Sequence, residues 1–163
     1  MKIAISSDHR GFAAKEKIKG MLKALGHEVL DFGTDSDASC DYPDITYPTC
    51  ASVTQGEADR GILLCGTGIG VDICANKVGG IRAALCHDEL TAEMSRRHNK
   101  ANVLCLPADL IGDEIMRRIV DVWLKTEFAG GRHERRIAKI ESLEEKWCRT
   151  RPNSTPEAHE SSS

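Results

Sequence analysis

The run Cys65-Gly66-Thr67-Gly68-Ile69-Gly70 is the segment of this chain whose residue types and spacing best suit chemistry. Glycines at alternate positions let backbone N–H groups converge at a helix start, where the dipole also favours negative charge. An anion or oxyanion belongs there. Cys65 is the last residue of the apolar run Gly61–Cys65, so the same N–H groups favour its thiolate and make it a candidate base. Thr67 is placed to relay a proton between oxygens of a bound substrate; its plainer role is a cap on the following helix. The run lacks the Gly-x-x-x-x-Gly-Lys-Ser/Thr pattern of nucleotide phosphate loops, and its glycine spacing does not suit a dinucleotide fingerprint.

Three further groups carry possible chemistry. In Ser7-Asp8-His9-Arg10-Gly11, Asp8 reads either as a helix cap or, with His9, as an acid–base pair that also holds hydroxyls. His98-Asn99 stands just before an apolar run, on the wrong edge for a site at Cys65, a position that suits a site completed by a second subunit. A lone histidine is more often structural. In Gly130-Gly131-Arg132-His133-Glu134-Arg135-Arg136, cations open a helix where the macrodipole does not favour them. Arg132 and Arg136 share a face and form a fork for one phosphate, although a solvated charged face is the ordinary reading.

The elements that must position these residues alternate. Apolar runs of strand length fall at Lys2–Ser6, Glu28–Phe32, Gly61–Cys65, Ile81–Cys86 and Asn102–Leu106. Helical spacing falls at Phe12–Leu25, about Tyr47–Gln55, Ile69–Asn76, Asp88–Arg97 and Ile111–Lys125. Nearly continuous apolar strands separated by amphipathic helices predict a Rossmann-like, doubly wound parallel sheet of five strands with right-handed crossovers. Ligands then bind beyond the strands' carboxyl ends. A one-sided helix over Arg132–Arg149, with Ile137, Ile140, Leu143 and Trp147 on its apolar face, follows a glycine hinge and is expected to reach a dimer partner.

A length of 163 residues with 40% hydrophobic content suits one domain, here residues 1–149, followed by a polar tail at 150–163 expected to be disordered. A net charge of −3 with interspersed signs offers neither a nucleic-acid face nor a membrane anchor. The short apolar N-terminal run suits neither a signal peptide nor a membrane span, so a cytoplasmic protein is expected. Seven cysteines without a Cys-x-x-Cys pair read as reduced thiols rather than a disulfide framework or a metal knuckle. Apart from Cys65 they suit small buried apolar positions.

Together these residues resemble the ribose-5-phosphate isomerase type B family, which includes the galactose-6-phosphate isomerase subunits. The resemblance covers about residues 1–147 and rests on Ser7-Asp8-His9 with Gly11-Phe12, Asp41-Tyr42-Pro43, Cys65 to Gly70, Ala75-Asn76-Lys77, Arg97-His98-Asn99 and Gly130 to His133. It implies a homodimer, with pairing into tetramers as an option, whose active sites draw on both subunits. It further implies ribose 5-phosphate to ribulose 5-phosphate isomerisation through a cis-enediolate. Cys65 then matches the base acting between C1 and C2, and Thr67 the group between O1 and O2. The amides of Gly66, Gly68, Ile69 and Gly70 match the enediolate cradle. His98 with Asp8 resembles the ring-opening pair, Tyr42 and Asn99 the sugar lining, and His9, Arg132 and Arg136 the phosphate clamp. Such chemistry needs no metal or organic cofactor, because backbone donors stabilise the oxyanion directly.

Two positions modify that expectation. Some members place a glutamate base after the glycine loop, where this chain has Val71, which favours the cysteine variant. After the fifth strand the family commonly has an arginine near the phosphate, where this chain has Asp109; Arg135 and Arg10 are the candidate substitutes. The alternatives are a hexose 6-phosphate isomerase of the allose or galactose type, and a catalytically silent sugar-phosphate sensor. A thiol-redox role is weakened by the lack of a resolving cysteine motif beside Cys65.

Overall fold

The computed structural model describes residues 1–150. The expected tail lies outside the described residues except at Thr150, which ends the last helix. Eleven elements follow in order among the described residues: β1 (Lys2–Ser7), α1 (Phe12–Ala24), β2 (Glu28–Asp31), α2 (Tyr42–Thr54), β3 (Arg60–Cys65), α3 (Ile69–Ala75), β4 (Ala83–Leu85), α4 (Glu89–Asn99), β5 (Val103–Pro107), α5 (Asp113–Lys125) and α6 (Arg132–Thr150). The sheet is wholly parallel in the order β2-β1-β3-β5-β4. The chain steps outward to β2, then returns across β1 to β3, so the winding direction reverses between β1 and β3. The doubly wound expectation holds.

Each face of the sheet has its own core. Ile3, Ile5, Ile62, Leu64, Leu104 and Leu106 pack with Ala14 and Ile18 of α1, Ala92 of α4, and Met116, Ile119 and Trp123 of α5. The alternate residues Leu63, Cys65, Val103 and Cys105 face Cys50 of α2 and Val71 and Ala75 of α3. This period of two is why the central strands read as unbroken apolar runs: both faces are covered. Burying one such Ile or Leu side chain stabilises the fold by about 2 kcal/mol.

Two boundaries depart from expectation. The helix expected to begin near Tyr47 begins at Tyr42, with Pro43 in its first turn, where a missing N–H costs nothing. Pro48 therefore lies inside α2 rather than at its start. The Thr46 and Thr49 hydroxyls donate to the carbonyls of Tyr42 and Ile45, each at 2.8 Å, in this interrupted stretch. The strand expected over Ile81–Cys86 shortens to Ala83–Leu85. At this sheet edge the Arg82 N–H bonds the Asn102 side chain at 2.8 Å, and the Ala83 N–H bonds the Asn76 side chain at 3.0 Å.

Helix α6 folds back on its own chain. Ile137 is buried, Glu141 pairs with Arg82 at 3.3 Å, and Glu144 Oε1 accepts from the Gly80 N–H at 2.9 Å. Ile140, Leu143 and Trp147 remain exposed and line a groove of about 810 Å³ with Asn99, Ala101 and the 76–84 connection.

Candidate active site

Parallel pairing brings the ends of β1, β3 and β5 together. Ser7 pairs with Leu64, and Cys65 with Pro107. Beyond the strands the loops stay stitched: Asp8 N–H to Leu64 O at 3.1 Å, Ala108 N–H to Cys65 O at 2.9 Å, and Asp109 N–H to Gly66 O at 2.9 Å. Cys65 is 5% exposed, on the α2/α3 face of the sheet. Its Sγ accepts the Gly68 N–H at 3.1 Å, so the helix-start amide expected to favour a thiolate does point at the sulfur.

The glycine turn is required by its surroundings. Gly68 has φ +74 and caps α3, and a methyl group there would run into the Leu85 side chain and lie 3.1 Å from the Leu106 carbonyl carbon. A Cβ at Gly70 would sit 2.9 Å from the Tyr42 ring, so Tyr42 closes over the end of the turn. Thr67 is exposed at the crest. Its hydroxyl is only a weak cap on α3, 3.4 Å from the Ile69 N–H.

Asp8 is buried, but it is not the cap of α1, which Gly11 begins without any side-chain bond. Its Oδ1 instead accepts the N–H groups of Arg10 at 3.0 Å and Gly11 at 3.1 Å, which shapes the loop after β1. Gly11 is needed there because a Cβ would come within 2.9 Å of Leu64 Cβ. His9 is half-buried, and the Cys40 N–H approaches its Nδ1 at 3.4 Å, tying the connection after β2 to the same edge.

A second group lies elsewhere. β5 begins at Val103, four residues before the partner of Cys65, and at about 3.3 Å per residue that end of the sheet is roughly 13 Å from the thiol. His98 and Asn99 end α4 just before it. The His98 ring stacks on His133 with centroids 4.1 Å apart and planes within 5°, which holds the start of α6 to the end of α4. Arg132 and Arg136 are exposed in the first turns of α6. Desolvation, then His98, Arg132 and Arg136, press the His133 imidazole below its ordinary value. Within one chain, Asp8, His9, Tyr42, Cys65, Thr67 and the turn glycines thus meet at the carboxyl edge, while His98, Asn99, Arg132 and Arg136 gather near the amino edge.

Among the described residues, the other thiols lack the setting of Cys65. Burial pushes Cys50 up to about 12 and Cys86 up to about 11, and holds the fully enclosed Cys105 well above its usual value. Val71 is wholly buried in the core behind the turn. Two contacts at the site were not anticipated from sequence: the His98–His133 stack, and an Arg10–Asp109 ion pair at 2.6 Å beside Gly66. Among the described residues, no three His, Cys, Asp or Glu side chains cluster as a metal-binding group.

A thiol in an amide-lined turn, at the switch point of a doubly wound parallel sheet, defines an α/β protein whose site suits proton transfer through an anionic intermediate. The family model for Ribose/Galactose Isomerase matches residues 3–140, and the chain belongs to that family. Ribose-5-phosphate isomerase B of Escherichia coli is 43% identical over 89% of this chain and 97% of its own length. The solved structure of Clostridium thermocellum ribose-5-phosphate isomerase B is 51% identical, with a TM-score of 0.89 over 90% of this chain and 99% of that one. The Mycoplasma genitalium ribose-5-phosphate isomerase B, solved with bound ribulose-5-phosphate, is 45% identical, with a TM-score of 0.85 over 89% of this chain and 97% of that one.

Proposed function

We propose that this protein interconverts ribose 5-phosphate and ribulose 5-phosphate, with Cys65 as the base. The observation that carries the assignment of the base is the Gly68 N–H held 3.1 Å from Cys65 Sγ, in a turn no side chain at Gly68 could occupy. After ring opening, the Cys65 thiolate takes the proton from C2 of the open-chain aldose. The electron pair left behind forms the C1=C2 bond of a cis-enediolate, whose negative oxygen the Gly66–Gly70 amides stabilise. Thr67, exposed at the crest, passes the proton from O2 to O1. Cys65 returns its proton to C1, and the ketose leaves with no net change in redox state.

His98 acts with Asp8 in ring opening, and Asn99, Arg132 and Arg136 complete the sugar and phosphate end. Because these residues lie near the far edge of their own sheet, a second copy of the chain supplies them, in a homodimer with two shared sites. The exposed Ile140, Leu143 and Trp147 of α6 offer apolar surface for such an assembly. Substrate and setting are those of a cytoplasmic metabolic enzyme.

A panel of pentose and hexose phosphates, assayed with wild type and Cys65→Ala, tests the reading. Turnover is expected with ribose 5-phosphate and is expected to vanish in Cys65→Ala. Preferred turnover of allose or galactose 6-phosphate would move the substrate to six carbons, and a folded wild type inert on every sugar phosphate would end the isomerase proposal.

A further inference from the structure

The loops after β1, β3 and β5 meet on one residue, Gly66. Asp109 donates its N–H to the Gly66 carbonyl at 2.9 Å, and its side chain turns back so that Oδ2 accepts from Arg10 Nε at 2.6 Å. The backbone N–H of Arg10 is fixed at 3.0 Å on Asp8 Oδ1. A methyl group at Gly66 would lie 2.5 Å from Asp109 Oδ2 and 2.8 Å from Arg10 Nε. The ion pair therefore rests directly on the residue that follows Cys65. It engages Arg10 through Nε alone: among the described residues neither Nη has a hydrogen-bond partner, and the side chain is 60% exposed.

A guanidinium held at Nε presents its two Nη groups as a fork of fixed direction, the geometry that suits a bidentate phosphate. Holding it in advance removes part of the rotamer entropy that binding would otherwise cost. We propose that Arg10 receives the substrate's phosphate at the carboxyl edge, and that Asp109 is the positioning residue that aims it. The proposal rests on the sugar-phosphate reading above. The carboxylate lies on the Nε side, so the phosphate meets the Nη atoms, and Asp109 directs a cation from the neighbouring loop in place of contributing one.

The test is steady-state kinetics with ribose 5-phosphate, together with competitive inhibition by inorganic phosphate, on the full chain with folding checked by thermal melting. Arg10→Ala is expected to raise KM and the phosphate inhibition constant about 10- to 100-fold, with kcat within about threefold of wild type. Should Arg10→Ala melt early, Arg10→Gln serves the same purpose. Asp109→Ala is expected to raise both constants about 3- to 10-fold, and Asp109→Asn, which keeps an acceptor for Nε, to recover most of that loss. The double variant should be no weaker than Arg10→Ala, because Asp109 acts through Arg10. Constants in Arg10→Ala within about twofold of wild type would overturn the assignment. So would tighter phosphate binding in Asp109→Ala, which would make Asp109 merely a repelling charge. Wild-type turnover is read first: its absence sinks the functional reading, whereas turnover with unchanged Arg10→Ala constants sinks only the role of Arg10.

Discussion

The two edges of the sheet differ in what one chain completes. At the carboxyl edge, three neighbouring loops are locked to each other by backbone bonds, and the thiol, the amide cradle, Asp8 and Tyr42 already stand in one place. Near the amino edge, the His98–His133 stack, Asn99 and two exposed arginines are also held together, yet they face no strand end that carries a base. The first region has the thiol and a single aimed cation, Arg10, for one end of a phosphate. The second has two further arginines and the imidazoles but no thiol. Each lacks what the other has, and this is the physical case for a site assembled from two copies.

The largest expected effect tests that pairing of edges. Cys65→Ala and His98→Ala homodimers should each be nearly inactive. Unfolded and refolded together in equal amounts, they should regain about a quarter of wild-type activity, because half the dimers are mixed and each mixed dimer holds one intact site. No recovery, with mixed dimers demonstrated by mass, would place both residues in a site within one chain.

A smaller effect concerns the turn alone. Gly68→Ala puts a side chain at φ +74 against the Leu106 and Pro107 backbone, 3.1 and 3.2 Å away, which cannot yield as a side-chain tip can. We expect a loss of about 2–4 kcal/mol in chemical denaturation, together with loss of activity. Unchanged stability would mean that the Leu106 and Pro107 backbone does not constrain the turn.

The smallest effect belongs to the other edge. His133 is depressed by desolvation and by its cationic neighbours, so the unfolded chain takes up this proton before the folded one does. Its contribution to stability is full above the ordinary imidazole value and falls as pH drops through about 6.5, levelling off below the folded value. Melting temperature followed from pH 8 to 5 should fall less in His133→Phe than in wild type. Parallel curves would remove His133 from the titration.

The reasons some features were legible in sequence, and others not, are physical. Strands covered on both faces give unbroken apolar runs, so β1, β3 and β5 and the loops beyond them could be placed from residue types alone, and Cys65 with them. The start of α2 was hidden by Pro48, because proline usually opens a helix, and only the structure shows it within one that Pro43 opens. The Arg10–Asp109 pair and the His98–His133 stack join loops and helices far apart in the chain, so no local periodicity records them. The separation of His98 from Cys65 was legible from strand direction, since a helix following a parallel strand must end near the opposite edge.

Proton transfer by Cys65 is tested most directly by running the reaction on ribose 5-phosphate in deuterium oxide and following deuterium at C1 of the ketose by NMR. Wild type should place solvent deuterium at C1 as ribulose 5-phosphate forms, and folded Cys65→Ala should show neither product nor label. Deuterium entering C1 at the wild-type rate in Cys65→Ala would contradict the account.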